Sequence, residues 1–513
     1  MVSATVADKD FQKLIAERAR PLLDLATCLS QCQSRKEIMT RSLLGELLSQ
    51  STQLEELLDA YDASQNCQWC GFRALTAVMK LFSDVSYELL HIQHGLPGYR
   101  LLPIEQDFVK ATDDALELTV DVLLRAANQM LVRADELGLP HSSEKLRERF
   151  CPEELPAGKL ARACQTRRIE AVSETVTLLT TAFLNLAVES KDVRAASRAK
   201  PEEYASYVSD SVSEEKLRSL ELRFHNLQSL YDTYVSGTEA AQLDTDLPVL
   251  RGHISVVFHL LRTATLFAHH YERHVNRKPC DSPFWQEPLV GAEALLDVLM
   301  KYSVTHISLY IGCAEHLCHE MLKRYAEVGR IEVAVPPYRG FHVRPSTLIS
   351  KLARHYGSEV QMELDGEVYD AGSPLELFRA NEKINAKKRR WLASDIVHLD
   401  LVQEEASQRD LSAVVRDVVL TLAGRSKLIL YEQPLQLPEG PARKTGTLLE
   451  KITDEMARLL AIGKIDVDAN LSAKFIGDKR VLADIKLLAE SGYGEDNFGN
   501  NVPLPEKLAY LRR

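Results

Sequence analysis

Along residues 1–329 apolar side chains recur every three or four positions, and that period predicts helix after helix. Phe11, Leu14, Ile15, Leu22 and Leu25 make a first stripe, bent at Pro21. Leu43, Leu44, Leu47, Leu48, Leu54, Leu57 and Leu58 make the next. Ala115 to Val132, Ser211 to Leu230 and His253 to His274 read the same way. Ala292 to Ala326 reads as one long helix or two joined ones. Val172, Val176, Leu179, Phe183 and Leu186 alternate steps of four and three, a seam for helix-on-helix packing. Breaks are expected at Gly95-Leu-Pro-Gly98, Gly138-Leu-Pro140, Cys151 to Gly158, Thr245 to Pro248 and Lys278 to Pro288. No fixed-period repeat is visible.

The period then changes. Ile331, Val333 and Val335 alternate with Glu332 and Ala334, which predicts a strand over Arg330 to Val335. A helix follows on Leu348, Ile349, Leu352 and Ala353. Glu359 to Asp365 alternates as a strand, and Gly366 turns it into a shorter one, Glu367 to Asp370. Ser373 precedes a short helix at Leu375 to Phe378. Val397, Leu399 and Leu401 suggest a last strand, and Leu411, Val415, Val418 and Leu422 a last helix. Gln433 to Pro441 reads as a linker. Thr447 and Glu450 form a capping box that opens a helix on Leu448, Leu449, Ile452, Met456, Leu459 and Leu460. The remainder is rich in Gly, Asn and Pro and reads as an appendage with a loose tail.

The chemistry gathers at Gly340-Phe341-His342-Val343-Arg344-Pro345-Ser346-Thr347, between the first strand and its helix. Pro345 suits a first helical turn, where a missing N–H costs nothing. His342 is then expected at or near the N-cap, where free N–H groups and the positive end of the helix dipole favour an anion. The Arg344 guanidinium fork fits phosphate oxygens. An imidazole beside such a cradle can hold a phosphoryl group on a ring nitrogen. With no carboxylate or second base beside it in the sequence, hydrolysis on the spot is not expected.

The stretch resembles the active-site motif of HPr, the histidine phosphocarrier of the bacterial phosphoenolpyruvate sugar phosphotransferase system. The match holds at Gly340, Phe341, His342, Arg344, Pro345 and Ser346, and the strands and helices that follow come in the family's order. The resemblance implies phosphoryl transfer to and from Nδ1 of His342. It also implies Arg344 on the phosphoryl oxygens, with Gly340, Ser346 and Thr347 at the phosphate. It implies as partners a first enzyme as donor, a downstream acceptor, and a serine kinase acting on the position of Ser373. Ser373-Pro374 is equally a complete N-cap and N1 pair. An insertion relative to the family, Asn381 to Asp395, carries Lys387-Lys388-Arg389-Arg390, a solvated helix end or a dock for an acidic partner.

Composition narrows the classes. The chain has 513 residues, 45% of them hydrophobic and 26% charged, enough for about two to four domains. A formal net charge of −11 argues against nucleic acid as a partner. No apolar run reaches a spanning length, so no membrane insertion is expected. Neither a basic start nor a long apolar stretch marks the N-terminus as a signal peptide, and nine cysteines are then expected as thiols in a cytoplasm. No phosphate-binding glycine loop or dinucleotide fingerprint occurs, and no cofactor is implied.

Two other constellations have a chemical and a plain reading. His270 with His274, His316 with His319, and Glu88-x-x-His91 have the helical spacing of carboxylate-bridged metal sites, but amphipathic helices carry such histidines without metal. Cys67-Gln-Trp-Cys70 and the pair Cys28, Cys32 lack the strand-to-helix setting of a redox motif, and small buried thiols explain them as well.

The expectation is therefore a multidomain, mainly α protein. Residues 1–329 form a helical bundle region. Residues 330–433 form an HPr-like α/β open-faced sandwich. Residues 434–513 form a linker and a helical C-terminal segment. The function expected is a bacterial phosphocarrier or phospho-sensor rather than a stand-alone enzyme. The rival readings are a regulatory or assembly protein that uses the domain as a scaffold, and a metal-binding helical-bundle enzyme. The helical region could also pair copies of the chain.

Overall fold

A computed structural model of the chain describes residues 6–32, 35–141, 160, 172–275, 289–398, 410–432, 434–438, 440, 445–467 and 470–512. It is mostly helical with a small antiparallel sheet, in two compact units, Met1–Cys318 and His319–Arg513.

The first unit contains no β-strand among its described residues. Its helices are α1 (Asp8–Arg18), α2 (Arg20–Gln31), α3 (Arg35–Ile38), α4 (Arg41–Ala60), α5 (Cys70–Tyr99), α6 (Phe108–Glu136) and α7 (Val172–Glu189). Then come α8 (Lys191–Ala196), α9 (Tyr204–Val208), α10 (Glu214–Tyr234), α11 (Ala240–Leu243), α12 (Asp246–His270), α13 (Ala292–Asp297) and α14 (Thr305–Arg324). Wider π turns extend α12 over Tyr271–Val275 and join α13 to α14 over Val298–Val304. The stripes read from the sequence are the buried faces: Leu43, Leu47, Leu54 and Leu58 on α4, and Val176, Leu179, Phe183 and Leu186 on α7.

The break expected at Gly95 to Gly98 is not there. α5 runs through Pro97 to Tyr99 and ends at Arg100 with φ +51°. Pro97 removes one i→i−4 hydrogen bond, and the helix ends two residues beyond it. Gly252 on α12 explains the close approach: a Cβ there would lie 1.6 Å from the Tyr99 carbonyl oxygen. The breaks expected at Cys151 to Gly158 and Lys278 to Pro288 fall outside the described residues.

The second unit is built on strands β1 (Val328–Ala334), β2 (Val360–Leu364), β3 (Glu367–Asp370) and, far along the chain, β6 (Ser472–Asp478). The order is β1-β6-β2-β3, with every neighbouring pair antiparallel. Period-2 alternation gives the sheet two faces. The row Ile331, Phe475, Met362, Tyr369 faces inward, with Phe475 and Met362 fully buried. The row Glu332, Lys474, Glu363 carries charge on the other face, and Arg330 pairs with Glu363 at 2.7 Å. Helices α15 (Val343–Tyr356) and α19 (Lys479–Glu490) pack together, and α19 lies on β1 and β6.

Between β3 and β6 run α16 (Pro374–His398), α17 (Leu411–Gly424), β4 (Ile429–Leu430), α18 (Leu448–Ala461) and β5 (Ile465–Asp466), with β4 and β5 paired. These elements share an apolar core that includes Leu392, Ile396, Val415, Val419, Ile452, Met456 and Leu459.

Three elements of this unit differ from those expected of the sequence. The short helix at Leu375 to Phe378 is the start of the long α16. Val397 is helical rather than the start of a last strand, while Leu399 and Leu401 lie outside the described residues. The strand beside β1 and the helix after it come from Ser472–Glu490, so residues 434–513 are not an appendage but supply the middle of the sheet. Leu411–Gly424 is a helix as expected, packed against α18 rather than closing the sheet. The Thr447–Glu450 capping box forms in both directions, at 3.3 and 2.9 Å.

Candidate functional site

His342 is the N-cap of α15. The turn that delivers it uses two successive left-handed residues, Arg339 (φ +54°) and Gly340 (φ +64°). Glycine is required at 340 twice over, since a Cβ would also lie 2.2 Å from Asn381 Oδ1. Phe341 is fully buried, edge-on to Phe475 and Tyr493, and anchors the turn to the sheet. Pro345 sits in the first turn of α15, so the first-turn donors are the N–H groups of Val343 and Arg344.

Residues of α16 and β5 brace this turn. Asn381 Nδ2 donates to the Arg339 carbonyl at 3.1 Å, and the Arg339 N–H donates to Asp466 Oδ2 at 3.1 Å. Asp466 Oδ1 accepts from Lys388 Nζ at 2.7 Å, and both side chains are almost wholly buried. The basic run is therefore no single patch. Lys387 pairs with Asp365 at 2.5 Å, Lys388 points inward, and only Arg389 and Arg390 are exposed.

The expectation that His342 lacks a carboxylate neighbour is overturned. Glu495, 153 residues on, places its oxygens 3.3 and 3.2 Å from Nε2 of His342. Its Oε1 is also 3.9 Å from Arg344 Nε. The Glu495 side chain is only 9% exposed. The other ring nitrogen, Nδ1, lies 3.1 Å from the Gly340 carbonyl oxygen. Glu495 is held by its own segment: Tyr493 donates to the Ala334 carbonyl at 2.6 Å, and Val502 N–H donates to Gly494 at 2.9 Å. Asp496 closes a turn by accepting from the Phe498 and Asn500 N–H groups.

Arg344 lines a groove of about 660 Å³ with Val343, Thr347, Lys351, Asn501 and Leu511. His342 lines not that groove but a smaller cavity of about 220 Å³, with Arg339, Asn381, Asn385 and Arg389. Ser346 does not face either: it is buried, and its hydroxyl donates to the Phe341 carbonyl at 2.7 Å. Thr347 borders the groove, with its hydroxyl donating to the Val343 carbonyl at 2.6 Å. Ser373 immediately precedes α16. The turn before it is tied to α15 by Ser350 and Arg354, which both donate to the Gly372 carbonyl.

The other constellations separate. Among the described residues, no group of three or more His, Cys, Asp or Glu side chains is placed to hold a metal ion. His270 and His274 stack at 5.2 Å in the first unit, and His270 meets Phe82 edge-on. His316 is exposed, and His319 lies against Gly357. Glu88 accepts from His259 Nδ1 at 2.7 Å and from Arg262 at 3.0 Å, and His91 packs on the His259 ring. Cys67 is exposed and Cys70 buried at the start of α5, with no strand beside them among the described residues.

Burial, reinforced by neighbouring histidines, pushes His270 down to about 3 and His274 down to about 4. Both stay neutral in the folded chain while their unfolded forms take up protons below about 6.5. Their folded values are depressed, so stability falls as pH drops from about 6.5 towards 4. Each histidine contributes on the order of 1 kcal/mol per pH unit in that window. Urea unfolding at pH 7 and pH 5 is expected to show this loss, reduced in a His270→Leu variant. An equal loss in that variant would rule the attribution out.

No family model, curated protein or solved structure matches the chain.

Proposed function

We propose that the second unit is a histidine phosphocarrier or phospho-sensor module, accepting a phosphoryl group on His342 and passing it on. The observation that carries this reading is the placement of His342 at the N-cap of α15 with Arg344 in the same first turn. A phosphoryl group on the ring would meet two backbone N–H groups, the positive helix end and a guanidinium, each favouring its charge. The order strand, helix, strand, strand, helix, and later strand and helix, agrees with the order implied by the resemblance to HPr. The donor would be a phosphohistidine protein of the first-enzyme type. The first unit would be a docking or output module for what the phosphorylated state signals.

A second reading, the module as a scaffold without transfer, is favoured by one observation: both ring nitrogens already have oxygen neighbours. Phosphoenolpyruvate with a first enzyme separates the two. An acid-labile phosphate on the chain, absent from His342→Ala, is the result expected of a carrier. An unmodified chain is the result expected of a scaffold.

A further inference from the structure

We infer that Glu495 is a positioning residue that keeps the proton of His342 on Nε2 and so makes Nδ1 the nitrogen that takes a phosphoryl group. The inference rests on the carrier reading above for its reaction, but its geometry stands by itself.

Both oxygens of Glu495 lie within hydrogen-bond range of Nε2, and the side chain is nearly buried. Its guanidinium neighbour, Arg344 Nε, is farther away at 3.9 Å. The neutral ring has two tautomers. With the proton on Nδ1, the Nε2 lone pair faces a full negative charge in a poorly solvated place. With the proton on Nε2, the Nδ1 lone pair faces only the Gly340 carbonyl dipole at 3.1 Å. A charge outweighs a dipole at equal distance, and a charge-assisted N–H···O bond is about twice as strong as a neutral one. The Nε2–H tautomer therefore prevails. A carboxylate holding the far nitrogen of a histidine is a common way to fix ring orientation.

The transfer then balances simply. The Nδ1 lone pair forms the new N–P bond as the donor phosphohistidine's N–P bond breaks, and that electron pair returns to the donor ring. No proton leaves Nε2. The ring gains positive character that Glu495 offsets, and the positive N-terminal end of α15 favours the phosphoryl charge. On onward transfer, the protonated ring leaves as a neutral imidazole.

The segment is rigidly built for this task. Tyr493 (φ +59°) is buried, and its hydroxyl is tied to β1. An added Cβ would clash with the Tyr338 ring at Gly499 and would crowd Leu504 and Arg344 at Gly494.

The test uses the full chain and two readouts. Two-bond proton–nitrogen NMR, assigned with His342→Ala, reports the tautomer without any donor. Phosphoramidate, a chemical phosphoryl donor, then modifies the ring, and phosphorus NMR of the digest identifies the isomer. The wild type is expected to show Nε2–H and a single Nδ1-phospho isomer. Glu495→Ala and the isosteric Glu495→Gln are expected to lose that preference and to react roughly 10–100-fold more slowly. An Nδ1–H tautomer in the wild type, an Nε2 isomer, or unchanged selectivity in both variants would overturn the inference. If a first enzyme fails to modify His342 while phosphoramidate gives the Glu495-dependent isomer, the carrier reading fails and the role of Glu495 stands.

Discussion

Replacing Lys388 with methionine is expected to destabilise the second unit by about 3–5 kcal/mol, the cost of leaving a buried charge without its partner. Lys388 Nζ and Asp466 Oδ1 meet at 2.7 Å with both side chains almost wholly buried. Methionine keeps most of the stem's volume, so the lost ammonium dominates the effect. Asp466 also accepts from the backbone N–H groups of Arg339 and Val467, so its carboxylate cannot turn to water without releasing the turn before His342. The damage should therefore spread from α16 and β5 to the site. A chain with two units need not unfold in one step. Hydrogen exchange of β6 and α15 amides against urea is therefore the proper measurement. Lys383→Met, which removes an exposed pair with Glu367, serves as the control and is expected to change nothing measurable. Equal behaviour of the two variants would remove Lys388 from the account.

Arg344→Ala is expected to slow phosphoryl acceptance by about 10²–10³-fold, the usual loss when a preorganised group facing transition-state charge is removed. Its effect on folding should be small, because the side chain is about a third exposed and borders an open groove. Arg344→Lys should fall between, since a point charge replaces a planar fork that can bind two oxygens. Initial rates with a limiting first enzyme and phosphoenolpyruvate measure this. A rate unchanged in Arg344→Ala would mean that the helix N-terminus alone carries the anion.

The sequence made some of this fold legible and hid the rest for identifiable reasons. The legible elements are local: the β1 alternation, the Gly340 to Ser346 turn, the α15 stripe and the β2–β3 hairpin all depend on neighbours a few residues away. The expected helix stops at Phe378, where the resemblance places a short one, whereas α16 runs on to His398 with a buried row of Ile384, Lys388, Leu392 and Ile396. Only the distant Asp466 explains the lysine in that row. The central strand was missed because Ser472–Asp478 offers a weak alternation, Ala473 and Phe475 followed by Gly477, a long way from its partners. Glu495 was invisible for the same reason. It lies among glycines and asparagines that read as loose chain, and only the closed sheet brings it to His342.

His342 itself was legible because its chemistry is local: a histidine, an arginine and a proline at helix-start spacing. Whether this histidine takes up a phosphoryl group is decided by mapping the modification. The full chain would be incubated with phosphoenolpyruvate and the first enzyme from its own organism, then followed by intact mass, acid lability and peptide mapping at neutral pH. The account predicts one acid-labile phosphate per chain, located on His342 and absent from His342→Ala. A chain that stays unmodified while the first enzyme is fully phosphorylated, or a phosphate that persists in His342→Ala, would contradict it.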